Sequence, residues 1–500
     1  MRNILLFGAG KSATVLIEYL LQEAQKEKWN VTVADANLSL AQEKTGTSKE
    51  GKARRVDIQN KEERRKYIEE ADIVISLLPP TLHYLVALDC LEFGKNLLTA
   101  SYVDEQMNSL RSQIEEKKLL FLCEMGLDPG IDHMSALKMI HTIKAEGGTI
   151  TSFYSHCGGL IAPESDDNPW HYKISWNPKN VVLAGKSGAT FKKEGKEVHL
   201  RYEELFNDKR YVIIPELEPL CWYPNRDSIS YASLYGLGSC PTFIRTTLRH
   251  PDFMYGWKNI IELKLTDETV QYETDNKTLM GFFKEHMDRN GFGEWLTQKM
   301  QQQLESTKSL LEGLMNIVTL EEEDEESGLK EMMLVNEKGN LEALDIDDLK
   351  LNAAATVADT MREANLTLKQ LFFLGMDDDE THINKGKCSA ADVLQFALEK
   401  KLTLQEHDKD MVVMLHEIEF TKGDQRYLQK SSLIVKGEDN TQTAMAKTVG
   451  LPLGIATKLI LNGPITIKGL QIPIIKEIYE PVLQELQAHG IQFTEERVQV

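Results

Sequence analysis

The chain has 500 residues, 42% of them hydrophobic and 27% charged. At roughly 150 residues per domain this predicts about three globular domains with ample buried core. Its 57 basic and 77 acidic side chains sum to −20, which argues against nucleic acid and anionic membrane surfaces as partners.

No apolar run approaches the roughly 18–20 residues of a membrane-spanning helix. The apolar start stops at Gly8, too soon for a signal peptide. Six scattered cysteines with no Cys-x-x-Cys pair predict free thiols in a reducing, cytoplasmic setting.

Residues 1–125 alternate short apolar runs with helical stretches. The runs are Asn3–Phe7, Val31–Ala34, Ile73–Leu78, Leu97–Thr99 and Leu119–Leu122; the helices include Ala13–Gln25 and Leu82–Phe93. Such alternation predicts an α/β fold with a doubly wound parallel sheet of Rossmann type. Gly8-Ala9-Gly10-Lys11-Ser12-Ala13 follows the first run directly. In this Gly-x-Gly-x-x-Ala pattern the first glycine permits a tight turn and the second lets backbone approach a pyrophosphate. The small third residue packs helix on strand, and the helix N-terminus supplies amide donors.

Asp35 stands 22 residues beyond Ala13, at the end of the second strand. A carboxylate there accepts the ribose hydroxyls of NAD and repels the 2′-phosphate of NADP, so NAD is the expected cofactor, with NADP as the alternative. Lys44 and Arg54–Arg55, nearby cations, are expected to stay away from it. A phosphate-binding P-loop would need glycine where Leu5 stands. Leu77 and Leu78, ending the fourth strand, are placed where a cofactor ribose would cross the sheet edge.

Residues 126–275 read as a mixed α/β domain with long functional loops and strand-like runs at Tyr211–Ile214 and Ile260–Leu265. Residues 276–405 are dominated by helix formers, as in Glu294–Val318 and Leu349–Leu371. The acidic runs Glu321–Glu326 and Asp377–Glu380 read as solvated charge, without the spaced oxygen ligands of a calcium loop. In 406–500, Asp410–Phe420 and Tyr427–Lys436 read as a hairpin. The helical section Thr443–Ala488 is expected to break at Pro452, Pro464 and Pro473.

Four stretches carry candidate substrate chemistry. Thr99-Ala100-Ser101-Tyr102 ends the fifth strand at the sheet's carboxyl edge. Gly126-Leu127-Asp128-Pro129-Gly130-Ile131-Asp132-His133 enters a helix that Asp128 is placed to cap. Cys157-Gly158-Gly159-Leu160, with Pro163-Glu164 and Asp166–Trp170, reads as a rigid polar loop. Tyr223–Ser228 and Ile244–Arg249 supply arginines, whose planar forks grip carboxylates. Arg249 is the weaker candidate and is expected to be an exposed strand residue.

These strings resemble the saccharopine dehydrogenases of the glutamate-forming type, above all the dehydrogenase half of bifunctional aminoadipic semialdehyde synthases. The resemblance extends over nearly the whole chain. It includes Ile75–Pro79, Tyr154–Leu160, Ala162-Pro163-Glu164, Asp167-Asn168-Pro169, Ala444–Pro452 and Lys476–Tyr479, and it is weakest around 276–390. It implies a Rossmann domain, a mixed α/β substrate and dimerisation domain, a small helical domain, and a C-terminal segment packed on the first domain. The implied activity is oxidation of saccharopine to glutamate and 2-aminoadipate 6-semialdehyde, and the implied assembly a homodimer.

By the same resemblance Ser101, Tyr102, Arg226, Arg245, Thr246 and Thr247 bind saccharopine. Ala9 through Ser12, Asp35, the turn formed by Gly126, Leu127, Asp128, Ile131, Asp132 and His133, and Trp176 line the cofactor site. Two features depart from relatives: Arg245-Thr246-Thr247 replaces a common Arg-Gly-Thr, and Asp35 is an acid that NADP-using fungal relatives lack.

Saccharopine carries three carboxylates and a secondary amine, so the acidic chain must present local positive charge. Asp128, Tyr102 and Cys157 are the candidates for moving protons near the amine, with His133 and His156 as alternatives. No His-Glu-x-x-His and no cysteine pair with ligand spacing is present, so no metal is expected. Two other readings compete: a carboxynorspermidine-type amine dehydrogenase or reductase, and a non-catalytic NAD-binding scaffold.

Overall fold

The computed structural model describes residues 1–269, 272–302 and 365–500, with 305, 308–309, 312, 333–335, 341–343 and 362–363. The acidic run Glu321–Glu326 and segments 313–318 and 349–361 of the expected helices lie outside the described residues.

Short runs of branched and aromatic residues, buried on both faces, form the middle of a seven-stranded parallel sheet whose edges are the more polar Gly51–Arg55 and Gly469–Gln471. Its spatial order is Gly469–Gln471, Leu120–Leu122, Asn96–Thr99, Ile73–Ser76, Asn3–Phe7, Asn30–Asp35, Gly51–Arg55. Continuous apolar strands are what a sheet covered by helices on both faces requires. The order reverses between the first and fourth strands, and ligands of open α/β sheets bind at that switch point. Gly8 and Leu77 leave those two strands side by side, with Leu77 N–H donating to Phe7 O at 2.9 Å.

A ten-stranded mixed sheet centres on Thr149–Ile161, which pairs parallel with Thr242–Arg249 and antiparallel with Asp410–Lys422. The expected hairpin is present: Asp410–Lys422 continues into Gln425–Lys436 in register. Cys157–Leu160, however, lies inside the central strand and not in a loop. A Cβ at Gly158 would sit 2.6 Å from Leu248 O, so this glycine serves close packing rather than a turn. Residues 163–165 form a short 3-10 turn after the strand.

The helix Ala444–Asn462 runs unbroken through Pro452. Its packing against Thr14–Glu27, where Gly450 meets Leu16 and Gly454 meets Tyr19, outweighs the roughly 3 kcal/mol that an interior proline costs. By length and composition it could cross a membrane, against the sequence expectation, but 72% of its apolar window is buried inside the protein. Core packing accounts for it.

By contacts the described chain forms two compact units: Met1–Asp167, His171–Pro251 and Leu402–Val500 in one, Asn168–Trp170 and Asp252–Lys401 in the other. The first holds both large sheets. The second is built on helices, including Leu279–Arg289 and Ala390–Lys401, around the buried Trp257 and Phe282. The strand-like run Ile260–Leu265 is instead the end of the helix Pro251–Glu262 and a following turn. The apolar face of a helix took precedence over β-branching there.

Candidate functional site

The glycine loop turns as its sequence requires. Gly8 has φ +101° and its N–H donates to Ala34 O at 2.9 Å, while a Cβ there would sit 2.6 Å from Leu77 O. Nothing lies within 4 Å of a Cβ built on Gly10, so the loop faces open space. Neither the short turn Lys11–Ala13 nor the helix Thr14–Glu27 has a side-chain cap at its N-terminus. Uncapped amides and the positive end of a helix dipole are what a pyrophosphate needs. Ser12 is half-buried, and Ala13 is buried beneath the loop. Lys11 Nζ donates to Ile174 O at 3.4 Å, which brings the Trp176 segment beside the loop. Trp176 itself donates to Tyr172 OH at 2.9 Å.

Asp35 holds the loop from below: its carboxylate accepts the N–H groups of Ala9 at 2.7 Å and Asn37 at 2.8 Å. Each oxygen keeps further acceptor capacity. Lys44 does not stay away from this corner. The helix Leu38–Thr45 folds it back so that Nζ donates to Gly10 O and, at 2.9 Å, to Thr14 Oγ1. Burial lowers its pKa to about 8, against the charges of Glu43 and Asp35. Arg55 is the register partner of Asp35 on the neighbouring strand.

The second half of the site grows from the end of the fifth strand. Met125 N–H donates to Thr99 O at 3.0 Å and Glu124 N–H to Ser101 O at 3.1 Å. These bonds hold the Gly126–His133 segment at the sheet's carboxyl edge. Asp128 does not cap the helix that follows. Gly130 precedes that helix, and its N–H donates to Asp132 Oδ1 at 2.6 Å. Asp128 is free for another task because Asp132, two residues beyond Gly130, has taken the local amide.

That task centres on Arg245. Its Nη2 donates to Asp128 Oδ1 at 2.6 Å, to Asp132 Oδ2 at 2.9 Å and to Tyr102 OH at 3.1 Å. Tyr102 OH in turn donates to Asp128 Oδ1 at 2.9 Å. The guanidinium lies 4.4 Å from the Tyr231 ring centroid, and its Nε has no hydrogen-bond partner.

Burial pushes Asp128 above the usual carboxylate range, with Arg245 pulling the other way. Burial acts equally against Asp132, but His133, Arg245 and the Gly130 N–H outweigh it and hold that carboxyl low. Two carboxylates on one arginine thus have their pKa values driven apart, the pattern by which sites separate acid and base roles. The Asp128 side chain is 15% exposed and that of Asp132 1%, so of the two only Asp128 is open to solvent. Burial raises Tyr102 and Cys157 far above neutrality. Cys157 packs in the hydrophobic core, and its thiol stays protonated.

Arg226 is exposed, at φ 44°, with its guanidinium 5.3 Å from the Tyr102 ring centroid. Asn225 beside it reaches Asp128 Oδ2 at 3.5 Å. Arg249 is buried, stacked over Tyr172 at 5.3 Å. Residues four apart on a strand share a face, so its expected exposure was at odds with the burial of Arg245. Thr247 shares that face, whereas Thr246 points to the other and bonds His156 Nδ1 at 2.7 Å.

The support behind these groups comes from residues that the sequence reading passed over, Glu124, Tyr231 and Tyr235. His133 is gripped by Tyr235 OH at 2.5 Å and Glu124 Oε2 at 2.8 Å, and stacks on Tyr231 at 5.2 Å. The four-residue spacing of Tyr231 and Tyr235, which puts both on one helical face, was the available signal.

A parallel sheet with an open glycine loop at its switch point, next to a buried carboxylate–arginine cluster, defines an NAD(P)-binding α/β protein. Two family models match nearly the whole chain: "Saccharopine dehydrogenase NADP binding domain" over residues 4–122 and "Saccharopine dehydrogenase C-terminal domain" over 126–491. The chain belongs to the saccharopine dehydrogenase family. It is 30% identical to the saccharopine dehydrogenase [NADP(+), L-glutamate-forming] of Schizosaccharomyces pombe, over 99% of both chains. It is also 30% identical to the alpha-aminoadipic semialdehyde synthase of Arabidopsis thaliana, spanning 99% of this chain but 44% of that protein. The apo saccharopine dehydrogenase (L-Glu forming) of Saccharomyces cerevisiae superposes with a TM-score of 0.77 at 28% identity, covering 100% of both chains.

Proposed function

We propose that the protein oxidises saccharopine with NAD and water to L-glutamate and 2-aminoadipate 6-semialdehyde, a step of lysine metabolism. The observation that carries this reading is the Tyr102–Asp128–Arg245–Asp132 cluster at the carboxyl edge of a dinucleotide-binding sheet, with the exposed Arg226 beside it. Full-length similarity to saccharopine dehydrogenases supports the same substrate. Arg226, which makes no ion pair among the described residues, is the natural partner for a substrate carboxylate. Arg245 is mostly spent on Asp128 and Asp132 and orders the site rather than gripping substrate alone.

When bound, the nicotinamide supplies the hydride acceptor. The chain's own groups do the rest. Asp128, raised toward neutrality and facing the ligand, takes the proton that the secondary amine must lose. Once it has passed that proton to solvent, it serves as base for water adding to the imine carbon, and the proton so gained goes to the departing glutamate nitrogen. Tyr102 stays protonated and donates to Asp128, and Arg245 stabilises the carboxylate form. Asp132 remains charged and holds Arg245 in place. The six cysteines are free and buried, in keeping with a reducing, cytoplasmic setting. With saccharopine and NAD, the purified protein is expected to release NADH and glutamate in equal amounts, faster at alkaline pH. No NADH from saccharopine while NAD binds normally would overturn the reading.

Cofactor choice rests on Asp35. The S. pombe relative is named for NADP(+), but here a carboxylate closes the corner that a 2′-phosphate would enter. Like charges forced together there cost several kcal/mol, a preference for NAD of roughly a hundredfold or more. Lys44 offers little relief, because above its pKa of about 8 it is mostly neutral at the alkaline pH that favours turnover. Asp35→Ser is expected to weaken NAD and admit NADP, read as kcat/KM for both cofactors. Equal wild-type efficiency on the two would remove Asp35 from the cofactor role.

A further inference from the structure

A buried relay of hydroxyl, imidazole and hydroxyl stands behind the fifth strand's end. Ser76 Oγ lies 2.8 Å from His83 Nδ1, and His83 Nε2 lies 2.8 Å from Ser101 Oγ. Ser76 and His83 are buried, while Ser101 is half-buried at the edge where Tyr102 enters the site. Burial lowers the pKa of His83 to about 4, so the ring is neutral and carries one proton.

The relay has two possible directions. If Nδ1 carries the proton, it donates to Ser76, and among the described residues the Ser76 hydroxyl proton then has no further hydrogen-bond partner. If Nε2 carries it, Ser76 donates to Nδ1, Nε2 donates to Ser101, and the one unspent proton belongs to Ser101. Buried donors are almost always satisfied, so the second direction is favoured. A third hydroxyl, Thr99 Oγ1, approaches Nε2 at 3.4 Å and accepts the Ser101 N–H at 3.2 Å. At that length an O–H bond to nitrogen is weak, and it does not reverse the order.

We infer that His83 is a positioning residue: as the Nε2–H tautomer it fills an acceptor site of Ser101 and turns the Ser101 hydroxyl proton out as a donor to a substrate carboxylate. This rests on the proposed dehydrogenase reading for the identity of the ligand, though not for the tautomer. A tri-acid substrate needs donors beyond the exposed Arg226, and a serine whose proton direction is fixed loses less freedom on binding than a free one.

Two measurements test it. Nitrogen-15 NMR of histidine-labelled protein, with the His83 signals identified by their loss in His83→Gln, is expected to show a proton on Nε2; a proton on Nδ1 overturns the inference whatever the substrate. In kinetics, His83→Leu and Ser101→Ala are each expected to raise the saccharopine KM about tenfold or more, with NAD affinity unchanged. The double variant should be no worse than either single one, and His83→Gln, whose amide can donate to Ser101, should restore much of the loss. Additive effects, or parallel loss of NAD affinity, would reduce His83 to a fold residue. A wild-type protein that leaves saccharopine untouched while showing the Nε2 proton would instead sink the proposed substrate and keep the relay.

Discussion

Arg245→Met is expected to destabilise the protein by about 3–5 kcal/mol at neutral pH, the usual cost of leaving a buried charge without its partner, and to abolish turnover. The variant strands two carboxylates, Asp128 and Asp132, which now share one guanidinium nitrogen. Methionine fills similar volume, so packing contributes little to the loss. The pH dependence has a definite sign. In the native protein Asp132 is held low, so its contribution is present above the unfolded value near ~3.9 and is lost as pH falls through the lower folded value. Without Arg245 the same carboxyl is pushed up, and its penalty grows as pH rises. The stability gap between the two proteins should therefore narrow from pH 7 toward pH 4. Adding Asp132→Asn to Arg245→Met should recover a large part of the loss. Urea unfolding at several pH values checks all three statements, and an unchanged midpoint at pH 7 would mean that Arg245 does not neutralise the pair.

The cofactor half of this molecule was legible because its signals are local. A glycine turn after an apolar run, and an acid ending the second strand, are read within some thirty residues, and both stand where expected. Contacts made by the folded chain were not legible. Lys44 is separated from Gly10 in sequence, and only the return of the helix Leu38–Thr45 places its ammonium on the loop. Gly158 and Gly159 look like loop residues until a neighbouring strand and the Met445 side chain are seen pressed against them. Pro452 looks like a break until the helix is seen packed along Thr14–Glu27.

The substrate half was legible as a set of residues but not as an arrangement. Tyr102, Asp128, Asp132 and Arg245 were all singled out, from three segments and for different reasons: Asp128 as a proton carrier, a cofactor-site residue and a cap it does not make, Tyr102 as a proton carrier and substrate ligand, Asp132 for the cofactor, Arg245 for a substrate carboxylate. Their meeting is a tertiary fact, and it changes what each can do. Arg245 becomes the hub that holds two carboxylates together, while His133 and the Gly130 N–H keep Asp132 lower than Asp128. Cys157, placed among the proton carriers by sequence, becomes a protonated thiol in a core.

Asp128→Asn should lower kcat by about 10²–10⁴, the range that general acid–base catalysis supplies. The amide keeps the shape of the carboxylate, and its oxygen still accepts from Arg245 Nη2 and Tyr102 OH, so folding and NAD affinity should hold. What it loses is the capacity to take a proton from the amine and return one to the leaving nitrogen. The neighbouring candidates separate cleanly from this. Cys157→Ala removes a thiol that burial keeps protonated and should change kcat only a few-fold. Tyr102→Phe removes one donor to Asp128 and should shift the pH profile, because an Asp128 with one hydrogen bond fewer to its charged form titrates higher. The acidic limb of the kcat profile would then move up in pH for Tyr102→Phe and vanish for Asp128→Asn. Measured from pH 6 to 10 with saccharopine and NAD saturating, an Asp128→Asn protein that keeps both the rate and the acidic limb would take the proton role away from Asp128. That role would then fall to His133, the ring held between Glu124 and Tyr235.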